Sequence, residues 1–209
     1  LVVYFKAEEG SGTQLTDLSN YGNHGALYEG NQVGNGPQWV AYNTTSTRPV
    51  FQSTASGDWS SPAAWNRSSV PNDPNAIVFV KSGDIKVVNN GLGTYEVGDL
   101  IICSNRSLTS NLAASLNIHG NLEVIGNLNP QKGQIDFVGN RDQSIEGTGL
   151  INFFNLGLNK IGGHLSIREN TSVYGVLDLE KGNLNTGSIL TLKDNVTNSN
   201  PIEFRIPFL

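Results

Sequence analysis

The chain has 209 residues and a net charge of −5. This composition argues against a nucleic-acid-binding protein, because contacts with phosphates require a clustered basic surface. No apolar run approaches the roughly 18 residues that a membrane-spanning helix needs, and no signal peptide is recognisable.

Strand patterns occur throughout the sequence and helical periodicity is nearly absent, so we predict an all-β fold. Charged residues make up only 15% of the chain, and surface polarity must come from Asn, Ser, Thr and Gly. The chain begins at Leu1 and contains no methionine, which indicates an excised part of a larger protein.

Residues 1–45 are predicted to form a separate β segment. Leu1–Phe5 has the composition of a strand, Asp17–Gly25 is dense in turn-forming Gly and Asn, and an apolar patch begins at Trp39. The polar residues 46–56 are predicted to be a linker.

Residues 57–200 are predicted to form a parallel β-helix or solenoid. Short apolar–polar–apolar units recur there, and the units that begin at Leu165, Leu177 and Leu190 are 12 and 13 residues apart. Gly and Asn tolerate the tight corners that a solenoid needs between short strands. Residues 201–209 are predicted to be a tail.

The clearest strand pattern is Leu116–Leu128, in which the even positions are apolar or Gly and the odd positions are polar, except Ile125. Alternate side chains of a strand point to opposite faces, so one face belongs to the core. Gly120 and Gly126 are predicted to mark bends.

Two tryptophans, Trp59 and Trp65, lie six residues apart around Pro62. One interpretation is a cap over the apolar end of the solenoid and its unpaired strand edges. The other is a platform for sugar rings, in which case they would act as ligand-binding residues together with Trp39.

The first 40 residues resemble the opening of a laminin-G-like, concanavalin-type jelly-roll module. The resemblance rests on Glu9–Thr13, Asp17–Leu27 and Trp39-Val40. It implies a β-sandwich-like segment and favours calcium, which hard oxygen ligands bind. The alternative for these residues is a set of Asx turns. The candidate calcium ligands are Glu9, Asp17, Asn20 and Asn23.

Residues 57–196 are similar to β-helical repeat regions in large secreted surface proteins of Bacteroidetes-type bacteria. The similarity rests on Gly57–Trp65, Val70–Pro74, Gln143–Gly147 and Gly175–Leu179. It implies an extracellular or cell-surface location, and a type IX secretion machinery as a partner.

The acids of the solenoid are scattered, mostly one per strand, and we predict no enzymatic activity. Asp178 and Glu180 share a strand face and are the pair to test for polysaccharide cleavage. We therefore expect a structural or adhesive segment of a secreted protein, whose partner is an extracellular glycan or protein. The alternative is a carbohydrate-binding segment of a secreted polysaccharide-degrading protein.

Overall fold

The computed structural model describes residues 14–15, 25–26, 48–88, 93–111, 114–193 and 203–205. The chain divides into two units, Leu1–Thr47 and Arg48–Leu209. In the first unit, β1 (Gln14–Leu15) and β2 (Gly25–Ala26) pair antiparallel. The other residues of the predicted jelly-roll segment lie outside the described ranges.

The second unit is a parallel β-solenoid of about five turns, which confirms the predicted fold class. Each coil runs through three faces, named face 1, face 2 and face 3 in chain order. Partners on one face are about 22 residues apart, as in Leu100↔Leu122 and Ile145↔Ile167. The spacing of 12 or 13 residues between the units that begin at Leu165, Leu177 and Leu190 is therefore not the coil length. Such a step skips one face of the three.

Face 2 is a seven-stranded sheet, and faces 1 and 3 form one ten-stranded sheet because four long strands bend around the corner between them. The strands of face 2 are β4 (Gly57–Asp58), β6 (Ile85–Val87), β8 (Ser107–Ser110), β11 (Asn127–Pro130), β14 (Leu150–Phe153), β16 (Thr171–Val173) and β18 (Leu190–Leu192). The other strands are β3 (Val50–Gln52), β5 (Asp73–Val80), β7 (Thr94–Ile102), β9 (Ser115–Ile118), β10 (Leu122–Val124), β12 (Gln134–Gly139), β13 (Gln143–Glu146), β15 (Asn155–Ile167), β17 (Val176–Thr186) and β19 (Glu203–Arg205).

Apolar side chains stack in buried columns inside the solenoid, one residue per coil. Parallel pairing in register places equivalent positions of successive coils above one another, so each face contributes its own columns. Burial of one such side chain contributes about 1.5–3 kcal/mol. The column of face 1 is Val78, Leu100, Leu122, Ile145 and Ile167, and a column of face 3 is Tyr95, Leu116, Ile135, Leu156 and Leu177.

The alternating segment Leu116–Leu128 confirms the predicted inward and outward positions but covers three faces. Leu116 belongs to β9 on face 3, Leu122 to β10 on face 1 and Leu128 to β11 on face 2. All three side chains are buried. Gly120 and Gly126 lie between these strands, at the two corners, as predicted.

The solenoid begins earlier than the sequence predicts, because β3 lies within the predicted linker 46–56 and pairs parallel with β5. Its three residues are too few to give a strand pattern among polar neighbours. The outer edge of β3 is covered by Asn66, whose side-chain oxygen accepts from the Gln52 N–H and whose N–H donates to the Gln52 carbonyl, at 2.9 and 3.0 Å. The predicted tail likewise contains a strand, since β19 pairs parallel with β17.

Candidate functional site

The outward side of face 3 carries a ladder of mostly polar residues, one per coil. The registers align Glu96, Asn117, Asp136, Gly157 and Asp178. Three of these five positions are carboxylates. Face 3 therefore carries an acidic ladder on its outer side.

Two carboxylates, one in the ladder and one close to it, contact residues on adjacent coils. Glu96 accepts from Asn117 Nδ2 at 2.8 Å and lies 2.6 Å from His119 Nε2. Glu180 accepts from Asn159 Nδ2 at 2.6 Å. These contacts connect consecutive coils on their outer side.

Asp136 is a partly buried acid in this ladder. Burial raises the pKa of Asp136, and the nearby carboxylates of Asp178 and Glu180 raise it further, while a 2.5 Å hydrogen bond from Gln134 Nε2 acts in the opposite direction. Space for the carboxylate comes from Gly157, where a Cβ would lie only 1.7 Å from Asp136 Oδ1. The chemistry available here is proton uptake by one crowded carboxyl group.

The two acids named for the catalytic test differ in their pairing register, although both lie near Asp136. Asp178 aligns with Gly157 in the ladder, whereas Glu180 falls in a register irregularity of the β15–β17 pairing and is exposed. Among the described residues, no group of three or more His, Cys, Asp or Glu side chains could hold a metal ion.

A buried polar network lies at the corner between faces 3 and 1. Lys160, only 1% exposed, donates from Nζ to the Arg141 carbonyl at 2.7 Å and to Gln143 Oε1. Gln143 Nε2 in turn donates to the carbonyls of Ile118 and Gly120. Burial lowers the pKa of Lys160. The network links three coils and satisfies its own buried donors, so we interpret it as structural.

The corner between faces 2 and 3 carries a groove of about 380 Å³. Two of its walls are aromatic, from Phe154 and Tyr174, and both side chains are half-buried. The polar lining consists of two amides and one ammonium group. The lining residues are Asn111, Pro130, Gln131, Lys132, Phe154 and Tyr174.

The groove is built from residues that directly follow the strands of face 2. Since Pro130 pairs with Ser110 and Phe153 with Val173, the next residue in each coil occupies the same corner position. The resulting corner column is Asn111, Gln131, Phe154, Tyr174 and Lys193, with one residue per coil. Neighbouring members are therefore about 4.8 Å apart at their backbones.

Gly175 gives the Phe154 ring its place in the groove. A Cβ at Gly175 would lie 2.8 Å from Phe154 Cε1, closer than packing allows. The Gly175 N–H donates to the Phe154 carbonyl at 2.7 Å, and Asn155 Oδ1 accepts from the Val176 N–H at 2.8 Å. The dipeptides Phe154-Asn155 and Tyr174-Gly175, which follow β14 and β16, thus determine the backbone path at the corner.

The two predicted ligand-binding tryptophans of the solenoid have no exposed ring face. Trp59 is 0% and Trp65 is 2% exposed, and their rings meet edge to face at a centroid distance of 5.0 Å. Trp59 Nε1 donates to the Pro71 carbonyl, and Trp65 Nε1 to the Trp59 carbonyl, both at 2.9 Å. Sugar stacking on these rings is therefore wrong as an interpretation, because both rings pack inside the first described coil. Their burial agrees with the capping interpretation.

The other predicted site residues lie outside the described ranges. These are Trp39 and the candidate calcium ligands Glu9, Asp17, Asn20 and Asn23. The sequence reading missed Phe154 and Tyr174. The signal that could have identified them is an aromatic residue directly after a strand of face 2 in two successive coils.

Comparisons with protein families, with curated proteins and with solved structures gave no match to the chain. None of the described helical residues forms a helix long and apolar enough to cross a membrane.

Proposed function

We propose that the chain is a non-enzymatic structural and adhesive segment of a secreted or cell-surface protein. The observation that carries the proposal is the set of buried columns that continues from coil to coil through residues 48–193. Each coil rests on its neighbours through backbone pairing and apolar packing. Such a stack is suited to hold surface groups at fixed intervals along one axis.

The outward carboxylates support a mechanical role. Asp99 contacts Arg48 at 2.6 Å and accepts from the Asn121 N–H at 2.7 Å. Asp142 Oδ1 lies 2.9 Å from His164 Nδ1 and accepts a hydrogen bond from the His164 N–H at 3.1 Å. These acids connect neighbouring coils at the corner between faces 3 and 1. This is a structural role and does not involve a substrate.

In this proposal the parent protein is a secreted surface protein of the Bacteroidetes type, exported by type IX secretion. The support for this is the resemblance of the sequence motifs in residues 57–196 to such proteins. An antibody against the chain should label intact cells that express the parent protein. Labelling that appears only after permeabilisation would contradict the proposed location.

Adhesion is tested with beads that display the chain, under flow, on surfaces coated with extracellular glycans, with extracellular proteins or with cells. The proposal expects bead retention on at least one surface, above beads that carry heat-denatured chain. Equal detachment of both bead types from every surface would reject adhesion.

The absence of catalysis is tested on plant and algal polysaccharides by measuring new reducing ends and unsaturated products. The proposal expects no turnover. Turnover that Asp178→Asn or Glu180→Gln abolishes would establish an enzyme instead.

A carbohydrate-binding segment of a secreted polysaccharide-degrading protein is the second candidate function. The observation that favours it is the pair of half-buried aromatic side chains, Phe154 and Tyr174, in one groove with amide groups. An affinity gel that contains polysaccharide tests it, because a binding protein migrates more slowly there than in a plain gel. Unchanged mobility with every polysaccharide would reject it.

A further inference from the structure

We infer that the groove between faces 2 and 3 binds an acidic glycan, with sugar rings stacked on Phe154 and Tyr174 and an acidic group at Lys132. The inference rests on the proposed adhesive function and assigns it a surface and a ligand class. Trp59 and Trp65, the tryptophans first considered for sugar binding, do not line this groove.

The aromatic part of the groove suits the apolar face of a sugar ring. Phe154 and Tyr174 occupy consecutive positions of the corner column, so their side chains begin about 4.8 Å apart. The two rings offer a rigid apolar surface at low cost in side-chain entropy, and the Tyr hydroxyl adds a polar group at its edge. A strip of this kind follows the solenoid axis and favours a chain ligand that runs in the same direction.

The polar part of the groove suits the hydroxyl groups at the edge of a sugar ring. Asn111 and Gln131 precede the aromatic pair in the column, and each carries an amide with donors and an acceptor. A ligand with an apolar face and many hydroxyls needs both kinds of surface in one place.

The charge of the groove favours an acidic sugar. Lys132 is the one charged residue among the lining residues, and its side chain is exposed. Lys193, at the far end of the column, is exposed as well. The acidic ladder lies on the other side of the corner, on face 3. A uronic acid carboxylate at Lys132 would therefore meet a cation without a competing carboxylate from the described lining.

The size of the groove is that of a ligand site. Its volume of about 380 Å³ falls within the roughly 300–1,000 Å³ of small-molecule pockets. The corner column continues beyond the lining residues to Lys193.

The test measures the affinity of the full chain for a soluble polyuronate and for a neutral polysaccharide, by affinity electrophoresis and calorimetry. We expect polyuronate binding that weakens with added salt, and weaker binding of the neutral polymer. Tyr174→Ala should lower polyuronate affinity about tenfold, from the loss of one stacked ring. Tyr174→Phe keeps the ring and should change affinity less than about threefold.

Two further variants complete the test. One removes the charge at Lys132, and the other removes an exposed apolar side chain outside the groove as a control. Lys132→Asn removes the cation and should abolish the preference for the acidic polymer. Asn is chosen because it tolerates the left-handed backbone that Lys132 adopts, with φ of 57°. Leu150→Ala truncates an apolar side chain that is 61% exposed outside the groove, and should leave affinity unchanged. Thermal melts confirm that each variant is folded.

Unchanged affinity in folded Tyr174→Ala would overturn the groove as the binding site, and equal binding of both polymers by wild type would overturn the acidic ligand. No binding of either polymer would overturn the inference as well. In all three cases bead retention on proteins or cells under flow would leave the adhesive function standing. Loss of retention on every surface would reject that function separately.

Discussion

Gly147 follows β13 at a corner where a side chain has no space. Its φ is +128°, and a Cβ built there would lie 2.1 Å from the carbonyl oxygen of Val124 in the preceding coil. The obstructing atoms belong to the backbone of β10, so no side-chain rotation can relieve the contact. Gly147→Ala must therefore separate two coils locally or distort the corner.

The cost of Gly147→Ala has two parts. The left-handed backbone costs about 1–2 kcal/mol for a residue with a Cβ, and forced overpacking typically costs about 1–3 kcal/mol. We expect a loss of about 2–5 kcal/mol in the free energy of unfolding. Gly93→Ala is the matched control, because φ there is +78° and no described heavy atom lies within 4 Å of its Cβ. It should show the backbone part alone.

The measurement is urea unfolding followed by circular dichroism at 218 nm (a wavelength typical of β structure), with wild type and both variants in parallel. A larger loss for Gly147→Ala than for Gly93→Ala supports tight stacking at this corner. Equal losses in the two variants would refute the reasoning, because they would mean that the coils part without cost.

Three further predictions use the same unfolding assay. Leu122→Ala should cost about 2–5 kcal/mol because it opens a cavity in a buried column, and a loss below about 1 kcal/mol would contradict that packing. Trp59→Phe should cost about 1–3 kcal/mol because the buried Pro71 carbonyl loses its donor; an unchanged midpoint would show that this bond contributes nothing. The pKa of Asp136 is raised in the folded state. The folded chain therefore loses stability as the pH rises from the ordinary Asp pKa through the raised pKa of Asp136. Asp136→Asn should therefore stabilise the chain at pH 7 and much less below the ordinary Asp value of 3.8, whereas a stabilisation independent of pH would exclude ionisation as the cause.

The sequence predicts strands and corners well where side-chain type alone decides them. Leu116, Ile118, Leu122 and Val124 alternate with polar residues and are all buried, and glycines separate their strands. The coil length could not be obtained in the same way. Units on different faces look alike in sequence, since Leu165, Leu177 and Leu190 all begin apolar–polar–apolar triplets.

Alternation of apolar and polar residues does not predict strands that are very short or that depend on a distant partner strand. β3 has only three residues, and its pairing with β5 depends on residues 25 or more positions away, near Ile77. Long strands such as β15 bend around a corner, so a single alternation does not describe both of their halves.

The candidate site was the least predictable feature. An aromatic side chain can bind a ligand only if it is exposed, and the residue type does not show whether it is. Trp59 and Trp65 are aromatic residues in a Gly- and Ser-rich segment, and both are buried beside Tyr95 or each other. Phe154 and Tyr174 look like ordinary strand residues. Only the register of successive coils brings them together at one corner.

The groove exists only if the corner column is correct, and in that column Asn111 and Lys193 are four coil steps apart. Cys103 is the single cysteine of the sequence and is first replaced by Cys103→Ser. Spin labels on Asn111→Cys and Lys193→Cys can then be measured by double electron–electron resonance. Four strand spacings place the two Cα atoms about 19 Å apart, so we predict one narrow distance distribution within label length of that value. A broad distribution, or a main distance beyond about 35 Å, would contradict the column and the groove built on it.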